Sequence, residues 1–305
     1  MTQGVTPLIH FVVLLVLPPL LLGVVNKTKA WFGGRKGPPL LQPYFDLVRL
    51  FRKEMVFSET TTWVFRSGPL VTLSGVVLAG ALLPFGAFDA PVQFTGDLVL
   101  FASLMALGRF FTAAAALDTG SAFEGMGAAR EVSFACLAEV ALFTGFVVLV
   151  RFSGSLSLTP MLHAPMYLPL QGMSAAALFL VALAFFVVLL TESSRVPIDD
   201  PNTHLELTMI HEVMVLDHSG PLLGLVLYGA AIKMFLLSAA ILHLALPFTL
   251  GASPFDWFVF VAGVLAMAVG IGVVESSMAR LRLRNVPSLL VASAVLCVIG
   301  FVLIL

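Results

Sequence analysis

Residues 176–190 read AALFLVALAFFVVLL, residues 191–212 read TESSRVPIDDPNTHLELTMIHE, and residues 222–242 read LLGLVLYGAAIKMFLLSAAIL. The two outer stretches are continuous apolar runs with no Asp, Glu or Arg and a single Lys. A helix crossing the roughly 30 Å hydrocarbon core of a bilayer needs about 20 such residues. The middle stretch holds five carboxylates, one arginine and two histidines. Pro197 and Pro201 exclude a continuous helix through VPIDDP, because each removes a donor and restricts the residue before it. The pattern is two membrane helices joined by a polar loop far more charged than a simple connection requires.

The rest of the chain follows the same pattern. Of 305 residues, 59% are hydrophobic and only 11% charged, against about a quarter charged in a soluble domain. The mean hydropathy is +1.05. Spans are expected at about 6–25, 68–86, 98–117, 132–150, 174–191, 222–246, 255–275 and 287–305. The runs are continuous rather than alternating, which selects helices over a barrel. The expected fold is an all-α polytopic membrane protein of one domain, residues 1–305. The first run has no basic residue before it and no small-residue cleavage site, so it reads as a retained helix.

Basic residues set the expected orientation. Lys27, Lys29, Arg35, Lys36, Arg49, Arg52, Lys53, Arg66, Arg130, Arg195, Arg280, Arg282 and Arg284 all fall in the loops after odd-numbered spans. The opposite loops hold only Arg151, while Arg109 and Lys233 lie within spans. By the positive-inside rule the odd loops face the cytoplasm and both termini face out, as expected of an inner-membrane protein. In the first basic loop, QPYFDLVRLFRKEMVF places Tyr44, Leu47, Val48, Phe51 and Met55 at helical spacing. That pattern describes an amphipathic helix on the membrane surface, either a simple anchor or a docking element.

Several chemistries are excluded. No GxSxG elbow, HExxH pair or phosphate-binding loop is present, and no basic patch with interleaved aromatics suggests nucleic acid. Cys136 and Cys297 are too few to ligate an iron–sulfur cluster and read as packing residues. From Asn202 the chain reads as helical again, with His204, His211 and His218 on one stripe; no metal site is expected there.

Ionisable groups inside spans are costly, about 2.5–3.5 kcal/mol each near the bilayer centre. Arg109, Glu139, Lys233 and His243 are such groups. They mark either an ion path or a structural pair, for instance Arg109 with a nearby carboxylate. Asp118, Glu124 and Glu131 are expected in the turn between the third and fourth spans, with Glu139 about two turns deeper. Glu192 ends the fifth span and Glu275 the seventh, and Asp199, Asp200 and Glu206 follow in the loop. Carboxylates gathered at one end of several spans suit proton exchange, because burial and like charge raise their affinity for protons.

Four segments carry a resemblance: GRKGPPLLQPYFDLVRLFRKE (34–54), ALDTGSAFEGMGAAREVSF (116–134), the E-x-x-R-x-P-x-D-x-P element at Glu192, Arg195, Pro197, Asp199 and Pro201, and ESSMARLRL (275–283). With these segments in this order, the chain resembles the membrane subunit that respiratory complex I, where it is subunit 1, shares with membrane-bound NiFe hydrogenases, including formate hydrogenlyase. The LDTGS and ESSMARLRL forms are similar to the hydrogenase branch. The resemblance implies an ion-coupling, arm-docking subunit that binds no cofactor itself. Iron–sulfur clusters and a NiFe centre would lie in peripheral hydrogenase or dehydrogenase arm subunits. Antiporter-like membrane subunits and membrane lipid would be its other partners. It implies a coupling path of Asp118, Glu124, Glu131, Glu139, Glu192, Asp199, Glu206, Glu275 and Lys233, with Arg35, Asp46, Arg130, Arg195, Asp200, Arg280 and Arg282 in loop or arm docking. The alternative is the quinone-binding membrane subunit of a complex I-like NADH or ferredoxin:quinone oxidoreductase. A stand-alone transporter is disfavoured by the lack of an inverted repeat. The chain departs from the family at Asn202, Thr203 and His204, where further glutamates are usual.

Overall fold

The computed structural model describes residues 5–167, 172–199, 209–245 and 254–305. The described residues form α1 (Val5–Phe32), α2 (Gln42–Phe51), α3 (Trp63–Leu82), α4 (Asp97–Asp118), α5 (Ala122–Ser153), α6 (Leu158–Tyr167), α7 (Met173–Glu192), α8 (His211–Met214), α9 (Gly220–Ala245), α10 (Pro254–Ser277) and α11 (Val286–Val302). No strand is present among them. Eight helices, all but α2, α6 and α8, are long and apolar enough to cross a membrane, matching the eight expected spans.

The core is built around α9. In its most apolar stretch 72% of residues are buried, against 28–44% in the other seven spans. Helix α9 packs against α1, α2, α3, α6, α7 and α10, while α11 closes the far side against α5 and α7. An apolar helix has no hydrophobic drive to leave lipid for another helix, so close backbone approach carries the packing. The α3–α4 pair shows this directly. A Cβ on Gly68 would lie 2.9 Å from Ala115 Cβ, and one on Gly75 would lie 3.2 Å from the Leu104 carbonyl oxygen. Thr72 Oγ1 fills the space between them and donates to Gly108 O at 3.0 Å.

Three boundaries differ from the sequence reading. Helix α5 begins at Ala122, ten residues before the apolar run, so the turn after α4 is only Thr119–Ser121. Glu124 and Glu131 therefore stand on a helix and not in a turn. Hydropathy marks where a chain becomes apolar; the backbone became helical earlier, at Ala122, in a charged stretch that hydropathy does not register. Gly120, at φ +71°, supplies the left-handed residue that reverses the chain. The helix expected through His204, His211 and His218 is found, among the described residues, only as one turn. Residues 200–208 lie outside the described residues, and beyond them only the single turn of α8 is helical. His211 and His218 consequently do not share a helix face. Finally, α6 was not expected, and it is anchored by Asp97, which accepts from Ser157 Oγ (2.8 Å) and Leu158 N (2.7 Å).

The surface helix α2 is present, with Pro43 in its first turn. It lies against α1 and α9, and Phe45, Val48 and Phe51 are exposed.

Candidate functional site

Four helices each contribute one charged side chain to a single cluster inside the bundle. Arg109 of α4 bonds through Nη1 to Glu192 Oε1 of α7 and through Nη2 to Glu139 Oε1 of α5. Lys233 of α9 donates to the other Glu192 oxygen at 3.0 Å. Two cations thus face two carboxylates, and the cluster is neutral in sum. The arrangement is the ion pair considered for Arg109, widened to four members. Glu192 is the hinge of it, since both its oxygens are taken by cations from different helices.

A cavity of ≈ 40 Å³ adjoins this cluster, lined by Arg109, Glu131, Glu192, His211 and Lys233 together with Thr72, Thr112, Ser193 and Ser194. A water needs about 10–15 Å³ of such volume and two to four polar partners, so there is room for two or three. Glu131 is buried and reaches the cavity from α5, about two helical turns from Glu139. His211 closes the loop side. Its buried Nε2 makes no hydrogen bond within the described residues. Burial pushes the His211 pKa down to about 4, nearby Lys233 adds to this, and Glu192 opposes it. The imidazole is therefore neutral and can both donate and accept.

The loop beneath the cavity is held by a second set of charges. Ser194 sits in the left-handed region at φ 51°, which turns the chain sharply after α7. Asp199 Oδ2 accepts the Ile210 and His211 backbone N–H groups, each at 3.1 Å, and Arg280 donates to its Oδ1 at 2.9 Å. Arg130 reaches from α5 to the Met209 carbonyl at 2.9 Å. Glu275 pairs with Lys29 at 2.7 Å and with Arg195 at 3.4 Å. Both edges of the loop are thus tied to membrane helices by charge-assisted bonds, the strong class.

The remaining sequence-derived residues are placed as follows. Glu124 is buried and accepts the Asp217 N–H at 3.0 Å, joining α5 to the loop before α9. Asp118 accepts from Thr62 N (2.7 Å), Thr62 Oγ1 (2.8 Å) and Phe65 N (3.1 Å), which caps α3. Asp46 accepts from Gln42 Nε2 at 2.8 Å and lines a groove of ≈ 250 Å³ between α1, α2 and α9, with Arg195 and Glu212. Arg35 and Arg282 are exposed. Asp200 and Glu206 lie outside the described residues.

The sequence reading held Arg109 between ion path and structural pair, and for that path it did not single out His211 or the hydroxyls of Thr72 and Thr112, which line the same cavity. An arginine inside an apolar run was visible; its partners were not, because they sit 30 and 83 residues away. Among the described residues, no three His, Cys, Asp or Glu side chains come together so as to hold a metal ion.

Comparison with known proteins agrees with this architecture. A family model described as NADH dehydrogenase matches residues 5–305. Formate hydrogenlyase subunit 4 of Escherichia coli (strain K12) is 30% identical over 98% of each chain. Hydrogenase-4 component C of the same organism is 31% identical over 78% of this chain and 73% of its own. An NADH-quinone oxidoreductase subunit of Geobacter metallireducens is 28% identical over 89% of this chain and 85% of its own. The solved structure of the membrane-bound sulfane sulfur reductase, an archaeal respiratory membrane complex, contains a chain of the same fold, with a TM-score of 0.82 at 20% identity over 98% of each chain. The chain belongs to the NADH dehydrogenase family, the membrane subunits of complex I and hydrogenase-type assemblies.

Proposed function

We propose that this chain is the ion-coupling, arm-docking membrane subunit of a membrane-bound NiFe hydrogenase or formate hydrogenlyase-type complex. The carrying observation is the neutral cluster of Arg109, Glu139, Glu192 and Lys233, drawn from four helices and bordered by a cavity with room for water. Protonating one carboxylate of such a cluster leaves a cation without its partner, so proton occupancy and side-chain position change together. In this reading the loop clamped by Asp199–Arg280 and Arg130 carries a displacement from an arm to Glu131 and His211, which line both the loop side and the cavity. Glu139, half-buried beside the exposed Phe143 and Val140, faces the flank where an antiporter-like subunit would receive the ion. The redox chemistry belongs to the arm subunits; this chain's residues hold and move protons. The likeness to formate hydrogenlyase subunit 4 and hydrogenase-4 component C supports the hydrogenase side of the reading.

The test uses the intact complex in sealed membrane vesicles. Glu139→Gln keeps the shape of the side chain and removes its proton exchange. The expected outcome is arm redox activity near wild type with ion movement reduced at least about tenfold, on the scale of a general acid–base contribution. Unchanged ion movement at full redox activity defeats the proposal. One observation favours a second reading, the quinone-binding subunit. The ≈ 250 Å³ groove between α1, α2 and α9 combines Leu22, Leu47, Leu50 and Leu227 with Asp46, Arg195 and Glu212. Quinone retained in the purified complex, without nickel, would select that reading.

A further inference from the structure

A second, separate groove lies where α1 leaves the membrane. Its ≈ 640 Å³ is bounded by Lys27, Thr28, Trp31 and Phe32 of α1, by Arg35 and Lys36 just beyond it, and by Val269 and Val273 of α10. The chain after α1 folds back onto the helix instead of running away from it. Arg35 N donates to Ala30 O at 2.8 Å, and Lys27 Nζ donates to Lys36 O at 2.7 Å. Gly37 permits this closeness: it has φ +63°, and a Cβ there would lie 2.4 Å from Ala30 Cβ. On the other side α1 and α10 touch, since a Cβ on Gly272 would meet Thr28 Cβ at 2.7 Å.

The charges around the end of α1 are divided. Lys29 turns inward to Glu275. Lys27, Arg35 and Lys36 face the groove, and no carboxylate pairs with them among the described residues. Beside them Trp31 is 76% exposed, while the other wall, Val269 and Val273, belongs to the membrane-crossing part of α10. A cationic mouth, an amphipathic ring at the boundary and an apolar wall below match one ligand class in its three parts. These are a phosphate, a glycerol ester region and an acyl chain.

We propose that this groove is a binding site for an anionic phospholipid, with its phosphate against Lys27, Arg35 and Lys36, its ester region beside Trp31, and an acyl chain along Val269 and Val273. The site is independent of the ion path, and it sets Arg35 against lipid and not against an arm subunit.

The test is quenching of Trp31 by brominated lipids, with the full chain in nanodiscs of phosphatidylcholine. The Trp31→Phe variant supplies the background from Trp63 and Trp257. The expected result is half-maximal quenching at about tenfold less brominated phosphatidylglycerol than brominated phosphatidylcholine. The preference should vanish in Lys27→Gln/Arg35→Gln/Lys36→Gln, and fall about threefold in Arg35→Gln alone, whose exposed side chain makes it the safer variant for folding. Equal quenching by the two lipids, or a preference that survives the triple substitution, overturns the proposal. Loss of the preference on adding millimolar inorganic phosphate also overturns it, since the site would then take a free anion. Trp31 shielded from both lipids in the intact complex would mean that a protein covers the groove, and would defeat the lipid assignment.

Discussion

The two ends of the bundle both bury polar side chains, and they do so by opposite means. Around Glu192, fixed charges from four helices oppose one another across a cavity. At the other end three buried histidines bond to backbone, beside Asp97 in its role as the anchor of α6. His163 Nε2 and His243 Nε2 both reach Gly86 O, at 3.2 and 3.1 Å, and His10 Nε2 reaches Gly80 O at 2.9 Å. Aromatic rings fill the space between: His10 lies on Phe85 with centroids 3.9 Å apart, Phe85 on Phe260, and Phe88 on Trp257. In the short α6, burial lowers the His163 pKa, against the pull of exposed Asp89. One end is an arrangement whose net charge can change one proton at a time. The other is a seal of packed rings. Burial alone therefore does not distinguish the two ends of this fold; opposed charges beside a cavity do.

Four experiments strain that contrast, in order of expected effect. Glu192→Gln should be the most damaging. It leaves Arg109 with Glu139 alone and takes from Lys233 the carboxylate it is bonded to, and removing one partner from a buried ion pair costs about 3–5 kcal/mol. Thermal unfolding in detergent should register a large drop, and adding Lys233→Met should recover part of it; strictly additive losses would show that the two side chains do not interact. Arg280→Ala comes next, because Asp199 then loses a buried charge-assisted bond worth about 1.5–3 kcal/mol. The expected sign is faster amide exchange at Ile210 and His211 with the exchange of α9 unchanged. At the sealed end, Asp97→Asn weakens the anchor of α6, and a cap of this kind is worth about 1 kcal/mol. Stability should fall modestly while ion movement in the intact complex stays at wild type; if it stopped, the seal would be part of the path.

The fourth test is in pH. The folded-state pKa of His211 is about 4, below its ordinary 6.5. Between those values an opened loop binds a proton that the closed loop refuses. The closed loop is thus fully stable above about pH 6.5 and loses stability as pH falls toward 4. His218 adds in the same direction, its pKa also lowered to about 4 by burial against Phe65. Limited proteolysis of the 209–219 segment should accelerate over that window in the wild type, and less in His211→Gln. Equal acceleration in both would place the titration elsewhere.

Much of the architecture was legible because it rests on composition over long windows. Eight apolar runs became eight helices long enough to span, since lipid admits only helices and closed barrels and continuous runs select helices. Within the site, Glu139, Glu192 and Lys233 could be singled out because each interrupts or ends an apolar run. What could not be read was which of them meet. Arg109 lies 83 residues before Glu192, and only the packing of α4 against α5, and of α7 against α5 and α9, brings them together. Asp118 and Asp97 illustrate the converse. Both are acids at the ends of spans, indistinguishable in sequence from path carboxylates, yet each accepts N–H and hydroxyl bonds at the N-terminus of a neighbouring helix. The early start of α5 was missed because a charged first turn dilutes hydropathy.

The placement of Glu139 has a meaning for assembly. Its side chain is 35% exposed on the outer flank of α5, in line with the exposed Val140, Phe143 and Cys136. A newly inserted copy on its own presents that carboxylate, still tied to Arg109, toward hydrocarbon. A half-exposed carboxylate on an apolar helix face is costly in lipid, so covering that flank with another helix would lower the cost of keeping Glu139 charged beside Arg109.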